Sequence, residues 1–273
     1  MQTITPAELD ELADAYFDTF DALATVPGTR LERAPHGTCL IVSGMLAPTS
    51  NCVCSPRRAA VVDEVAALAA TMSGIGVPWS ILSRGEPEQG VLDVAAVHGL
   101  TEHVELPVML VDKADAVIRN AAAERAEGDG AGDGEGAAVV HVVDIDRYEE
   151  YLRAFTQGFE ISPEVLGPMA QPEFLEVPGC TCYLVEVSGR PVACGTALLS
   201  RDHVLVGNIA TLADLRGHGY GRLVTEAAVT GGFAAGARIA YLLASSDGRP
   251  LYESMGFRSV ETWTYLFARA GHA

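Results

Sequence analysis

Lysine is almost absent from this chain. Its 273 residues include one, Lys113, and the formal net charge is -18. A chain of that sign is repelled by nucleic acid and by anionic membrane surfaces, which excludes both as partners. It favours a cationic small molecule, or else the acidity serves only solubility. Long apolar runs are missing too, and none reaches the length that spans a bilayer. The opening stretch, MQTITPAELDELADAYFDTF, has neither a basic n-region nor an apolar h-region, so no secretory signal and a cytoplasmic location are expected. The six cysteines (Cys39, Cys52, Cys54, Cys180, Cys182 and Cys194) include no C-x-x-C pair and have no histidines at ligand spacing, so no metal is expected. The two C-x-C pairs lie in strand-like text and read as buried small hydrophobes. Two phosphate-binding signatures are also lacking. No stretch has the G-x-G-x-x-G dinucleotide spacing in the right place, and no G-K-S/T ending completes a P-loop.

What is present is an ordinary globular composition, 49% hydrophobic and 20% charged, enough to bury a substantial core. Residues 117–138 are rich in Ala, Gly, Asp and Glu. Glu124 to Ala137 within them reads as a flexible linker or disordered loop. The linker divides the chain into a unit at 1–116 and another at 139–273, each near the size of a small domain.

The second unit reads clearly. DRYEEYLRAFTQGF has helical spacing, ISPEVLGPMAQPEFL is helical text broken by prolines, and CTCYLVEVSGRPVACGTALLS is a hairpin turning at Ser188-Gly189-Arg190. DHVLVGNIATL is a further strand. Leu223, Val224, Ala227, Ala228 and Gly231 then mark one face of a helix. RIAYLLAS, RPLYESMGF and SVETWTYLFAR add strand, short helix and strand, an α/β arrangement around a mixed sheet. The first unit closes in the same manner, with His98-Gly99-Leu100 standing where the second has Met255-Gly256-Phe257. The two units therefore read as tandem copies of one fold.

Between strand and helix lies Arg216-Gly217-His218-Gly219-Tyr220-Gly221. Unpartnered N–H groups and the helix dipole make such a junction an anion site, and glycines let a phosphate approach the backbone. Arg216 and Arg222 add charge and forked donors. A pyrophosphate is the ligand this predicts.

The stretch resembles the Gln/Arg-x-x-Gly-x-Gly/Ala signature of the GNAT superfamily of acyl-CoA N-acyltransferases, here Arg216, Gly219 and Gly221. LYESMGF resembles that superfamily's late helix, and the likeness covers roughly 140–269. It implies two tandem GNAT-like domains, each a mixed, mostly antiparallel sheet flanked by helices. In the first the glycines are replaced by Pro56, Arg57 and Arg58, a degenerate copy that shapes the acceptor site or an interface.

The resemblance further implies that Arg216, Gly217, His218, Gly219, Tyr220, Gly221 and Arg222 hold the pyrophosphate of acetyl-CoA. Ile209, Ala210 and Thr211 would pair with its pantetheine arm. Tyr252 would be the general acid toward the leaving thiolate, and Asn208 would orient water or acceptor. Ser245 stands near the place where the family has an asparagine. His203, expected exposed at a strand start, and Glu186 are the titratable groups nearby, and no base is assigned. The implied activity is transfer of an acetyl group from acetyl-CoA to a small amine, with a cationic one favoured by charge, by direct attack in a ternary complex. The alternatives are a protein or peptide N-acetyltransferase and a non-catalytic acyl-CoA sensor or scaffold. The chain is expected to act as a monomer or homodimer.

Overall fold

Thr5 begins the fold. Its hydroxyl accepts from the Glu8 N–H while the Glu8 carboxylate accepts from the Thr5 N–H, a capping box followed by Pro6 at the first helical position. The helix it starts, α1 (Pro6–Leu23), buries Leu9, Leu12, Ala13, Phe17 and Phe20 along one face. The computed structural model describes residues 4–118 and 137–269, so the expected linker at 117–138 lies almost wholly outside the described residues.

After α1 come β1 (Arg30–Arg33), β2 (Cys39–Val42), β3 (Asn51–Cys54), α2 (Val62–Ser73), β4 (Ser80–Arg84), α3 (Gln89–Val97) and β5 (Glu102–Asp112). The second half runs β6 (Ala138–Val142), α4 (Tyr148–Phe159), 3-10 turns at Pro163–Ala170 and Pro172–Glu176, then β7 (Cys180–Val187), β8 (Arg190–Ser200) and β9 (His203–Thr211). It ends with α5 (Tyr220–Ala234), β10 (Ile239–Leu243), α6 (Arg249–Ser254) and β11 (Arg258–Phe267). The β7–β8 hairpin turns at Ser188 and Gly189, both at positive φ (51° and 79°), the geometry of a two-residue turn matched to strand twist. β6 was not anticipated. Its five residues adjoin the Gly/Ala-rich segment, and its edge position leaves Val139 and Val142 exposed.

A sheet in each half is expected from the sequence, but the described residues form one sheet of eleven strands. Its order is β1-β2-β3-β4-β11-β5-β10-β9-β8-β7-β6. Only β3–β4 and β9–β10 are parallel, each bridged by a crossover helix, so the sheet is mixed and mostly antiparallel. Read inward from β1 and from β7, the pairings run in the same sequence, antiparallel twice and then parallel, and β6 has no counterpart. At the centre the last strands cross over: β5 pairs with β10 of the second half, and β11 pairs with β4 of the first.

Side-chain alternation separates the two faces. Val108 and Leu110 of β5 join a cluster with α1, while Met109 and Val111 join one with α5 and α6. The helices α2, α3, α5 and α6 therefore cover one face, and α1 and α4 cover the other. Trp263, fully buried, anchors α1 by stacking on Phe17 at 6.0 Å and meeting the edge of Tyr16 at 4.8 Å.

Candidate functional site

The site is built on β9. From Ser200↔His203 to Thr196↔Gly207 it pairs with β8 in regular register, and pairing resumes at Cys194↔Ala210. One strand thus advances two residues while β9 advances three, a bulge at Asn208 and Ile209. Asn208 takes a left-handed conformation with φ 56°, which asparagine tolerates better than most residues. On the other edge, pairing with β10 stops at Leu205↔Tyr241. Beyond that point the two parallel strands part; among the described residues Ala210 and Thr211 have a strand partner on the β8 side alone, and Ile209, in the bulge, has none.

The glycine turn follows. Gly217 and Gly219 have φ of 82° and 86°, and a Cβ on either would meet nothing within 4 Å. They serve backbone conformation beside open space and do not serve packing. Gly221 differs: its Cβ would approach the Thr211 hydroxyl at 3.2 Å, so it is the one that lets α5 lie close to β9. The first helical bond runs from the Leu223 N–H to the Gly219 carbonyl, and no side chain caps the helix. The N–H groups of Tyr220, Gly221 and Arg222 are therefore left without helical acceptors at the positive end of the dipole.

The two arginines are engaged elsewhere. Arg216 donates to the Gly158 carbonyl at 2.9 Å and meets Glu160 at 3.5 Å, which ties the turn to the end of α4. Arg222 binds Glu226 at 2.8 Å, Ser254 at 2.9 Å and the Val117 carbonyl at 3.2 Å, bracing α5 against α6. His218 is exposed and stacks on Tyr220, whose own ring is buried. Ser245 is exposed, and its hydroxyl accepts from the Gly248 N–H at the start of α6.

Tyr252 lies on α6 within the core shared with α5. Burial pushes its phenol up to about 12. Among the described residues its hydroxyl has no hydrogen-bond partner, and Gly248 makes room for the ring, since a Cβ there would stand 2.8 Å from it. Asn208 donates to the Thr196 hydroxyl at 3.3 Å, and that hydroxyl pairs with the Tyr151 phenol of α4 at 2.7 Å. This buried chain, which fixes the bulge, was not read from the sequence.

His203 needs correction. It is buried, not exposed, and contacts Asp202 at 2.8 Å while edging the Tyr241 ring. Burial lowers its pKa below the usual imidazole value. It stands five residues before Asn208, at the opposite end of β9. Glu186 is bound to Arg147 at 2.9 Å on the outer strands. Neither belongs to the site. Among the described residues no cluster of His, Cys, Asp or Glu could hold a metal ion.

A cavity of about 270 Å³ opens on the α1/α4 face beside the bulge, with Thr196, Gly207 and Asn208 in its wall. Tyr16 and Phe20 of α1 and Met169 and Phe174 of the 3-10 turns close it, so both halves of the chain contribute.

Residues 178–259, from the start of β7 to the first residues of β11, match the family model described as an acetyltransferase (GNAT) domain. This chain has the GNAT acetyltransferase fold. The GNAT likeness in solved structures extends beyond the matched segment. A GCN5-related N-acetyltransferase from Kribbella flavida is 19% identical over 96% of each chain, with a TM-score of 0.66. A GCN5-related N-acetyltransferase-like protein from Streptococcus suis is 12% identical over 96% of this chain and 100% of its own, at 0.56. A conserved protein of unknown function from Staphylococcus epidermidis is 11% identical over 88% of this chain and 94% of its own, at 0.59. No protein of curated function matches the sequence.

Proposed function

We propose that the protein is an acetyl-CoA-dependent N-acetyltransferase acting on a small amine. In this reading 139–273 bind the donor, and 1–116 are a degenerate tandem copy that closes the acceptor site. One observation carries the reading: β9 presents a bulge, an unpaired edge and a glycine turn in one continuous stretch, 207–221. The residues fit the donor in order. Open space at Gly217 and Gly219 and the free N–H groups of Tyr220, Gly221 and Arg222 suit the pyrophosphate. The edge of Ile209, Ala210 and Thr211 suits the amides of the pantetheine arm. Main-chain donors, not the two arginines, carry most of this binding.

In this reading the reacting groups meet where β9 parts from β10. Tyr252 stands on the α5/α6 side of the sheet and the cavity lies on the α1/α4 side. A main-chain N–H of the bulge donates to the thioester carbonyl as charge develops on its oxygen. The amine nitrogen bonds to the carbonyl carbon, the carbon–sulfur bond breaks, and the Tyr252 hydroxyl gives its proton to the departing sulfur; the surplus N–H proton leaves to solvent, from which the phenolate is reprotonated. A phenol held protonated at neutral pH suits that role. Asn208, tied to Thr196, orients the acceptor at the mouth. A cavity walled by both halves favours a small acceptor over a protein.

The test is acetyl-CoA binding by calorimetry on the wild type and on Gly219→Glu. Micromolar binding lost in the variant is expected, because a carboxylate then occupies the anion site. No binding by folded wild type would sink the proposal.

A further inference from the structure

The chain's charge and its cavity disagree. Despite the formal charge of -18, none of the described residues lining the cavity carries a carboxylate, ammonium, guanidinium or imidazole. Glu173 and Glu176, beside Phe174 in sequence, are exposed at the surface, and the carboxylates of α1 closest to the lining residues each have a cation. Asp14 pairs with Arg57, Asp18 with Arg201 and Asp21 with Arg33, all on the helix face away from Phe20 and Leu23, which turn toward the cavity. These three carboxylates are therefore neutralised at the surface and offer nothing to an ammonium group inside.

The described wall carries no charge; its polar groups are six hydroxyls, two thiols and the Asn208 amide. Phe20, Leu23, Val26, Met45, Phe174 and Leu198 are among its apolar residues, and the polar groups beside the bulge are Thr196 and Asn208. An ammonium ion entering here would lose its water without gaining a counter-ion, which disfavours the charged form. A neutral amine loses far less, and only the neutral amine can attack a thioester. The volume, about 270 Å³, is at the small end for ligand sites.

Resting on the acyltransferase reading, we propose that the acceptor is a small primary amine with one apolar aliphatic or aromatic tail, bound as the free base. Its nitrogen lies at Asn208 and Thr196, and its tail lies against α1 and the 3-10 turns. Amino sugars and polyamines, with several charges or hydroxyls to bury, are excluded. Among the described residues the cavity has no carboxylate or imidazole to take the ammonium proton, so that proton leaves to solvent before binding. The pH dependence of the reaction then follows the amine itself.

The experiment measures thiol release from acetyl-CoA by the full-length protein with hexylamine and phenethylamine against spermidine and glucosamine. The apolar amines should show kcat/KM about a hundredfold higher. Between about pH 6 and pH 9 that value should rise about tenfold per unit, as expected for an amine with pKa near 10 attacking as free base. Two variants read the cavity directly. Leu198→Trp fills it and should raise KM for hexylamine about tenfold or more, with acetyl-CoA affinity unchanged. Met45→Glu adds a carboxylate at a half-buried position and should shift preference toward spermidine about tenfold. Equal or better turnover of spermidine or glucosamine by the wild type overturns the proposal. So does a Leu198→Trp variant that spares amines while blocking octanoyl-CoA, since the cavity would then hold the acyl chain. If acetyl-CoA fails to bind at all, the acyltransferase reading falls separately. Calorimetry of hexylamine alone then decides the cavity: binding that Leu198→Trp abolishes upholds the apolar-amine assignment, and no binding ends it.

Discussion

Two strand–turn–helix units face each other across this sheet, and one is open where the other is filled. In the second half, β9 and β10 part, and glycines lead into α5 beside empty space. In the first half, β3 and β4 are parallel in the same way, but Ser55-Pro56-Arg57-Arg58 follows β3. There the gap is taken by Arg84 from the end of β4, fully buried. It donates to the Pro56 carbonyl at 2.7 Å, to Asp10 at 2.7 Å and to the Leu9 carbonyl at 3.2 Å. Glu261, crossing over on β11, meets Arg84 at 3.2 Å, Arg58 at 2.8 Å and the Trp263 indole N–H at 2.7 Å. The same topology makes a ligand cleft or a structural joint, according to whether the chain's own groups bridge the parted strands. The joint is also where β11 and α1 lock the halves together.

The largest effect that separates the two is on stability. Glu261→Ala removes the carboxylate that faces the Arg84 guanidinium, whose side chain is 0% exposed. Leaving that charge short of a partner should cost about 3 kcal/mol, the low end of the range for a broken buried pair because Asp10 remains. Denaturant unfolding measures it. Acetyl-CoA affinity of the folded fraction should not move, because the joint lies outside the donor site. A loss below about 1 kcal/mol, the range of exposed pairs, would mean the network does not hold the halves together.

Next comes chemistry. Tyr252→Phe should lower kcat about a hundredfold, about 2.7 kcal/mol, with acetyl-CoA binding unchanged. Since burial pushes the phenol up to about 12, its proton-bearing form persists through neutral pH, and the rate should show no alkaline fall from this group before about pH 12. The sign for stability is the same. A pKa raised above the ordinary 10.0 keeps the stabilising neutral form intact below about pH 10, and the contribution is lost as pH rises through about 12. An unchanged kcat in the variant would remove Tyr252 from the acid role, whereas acetyl-CoA binding with no turnover of any amine by the wild type would favour a sensor over an enzyme.

Much of the open unit could be read before any coordinates, because its signals are local. The Ser188-Gly189 turn, the glycine turn and the helical face of Val224 and Ala228 each depend on neighbours within a few residues. The rest depends on distant pairing. No local pattern says that β11 lies between β4 and β5, or that Arg84 meets Glu261, 177 residues away. His203 looked exposed because it begins a strand, yet α1 and Tyr241 cover that end. The bulge had one faint signal, an asparagine inside an apolar strand, and the cavity had none, since its wall is drawn from both halves.

The smallest effect tests whether the filled unit keeps any trace of anion binding. Arg57 follows the proline where the open unit has glycine, and its guanidinium binds Asp14 at 2.7 Å with half of the side chain exposed. If that pair is only a surface ion pair, Arg57→Ala should cost about 0.5 kcal/mol in stability. Calorimetric stoichiometry should then stay at about one acetyl-CoA per chain, for wild type and variant alike, because the single glycine turn supplies the one anion site. A stoichiometry of about two that Arg57→Ala reduces to one would show that the first half still binds a phosphate through its arginines. The contrast between the halves would then be one of affinity, and a proline-led turn carrying a guanidinium would suffice where close backbone approach is lost.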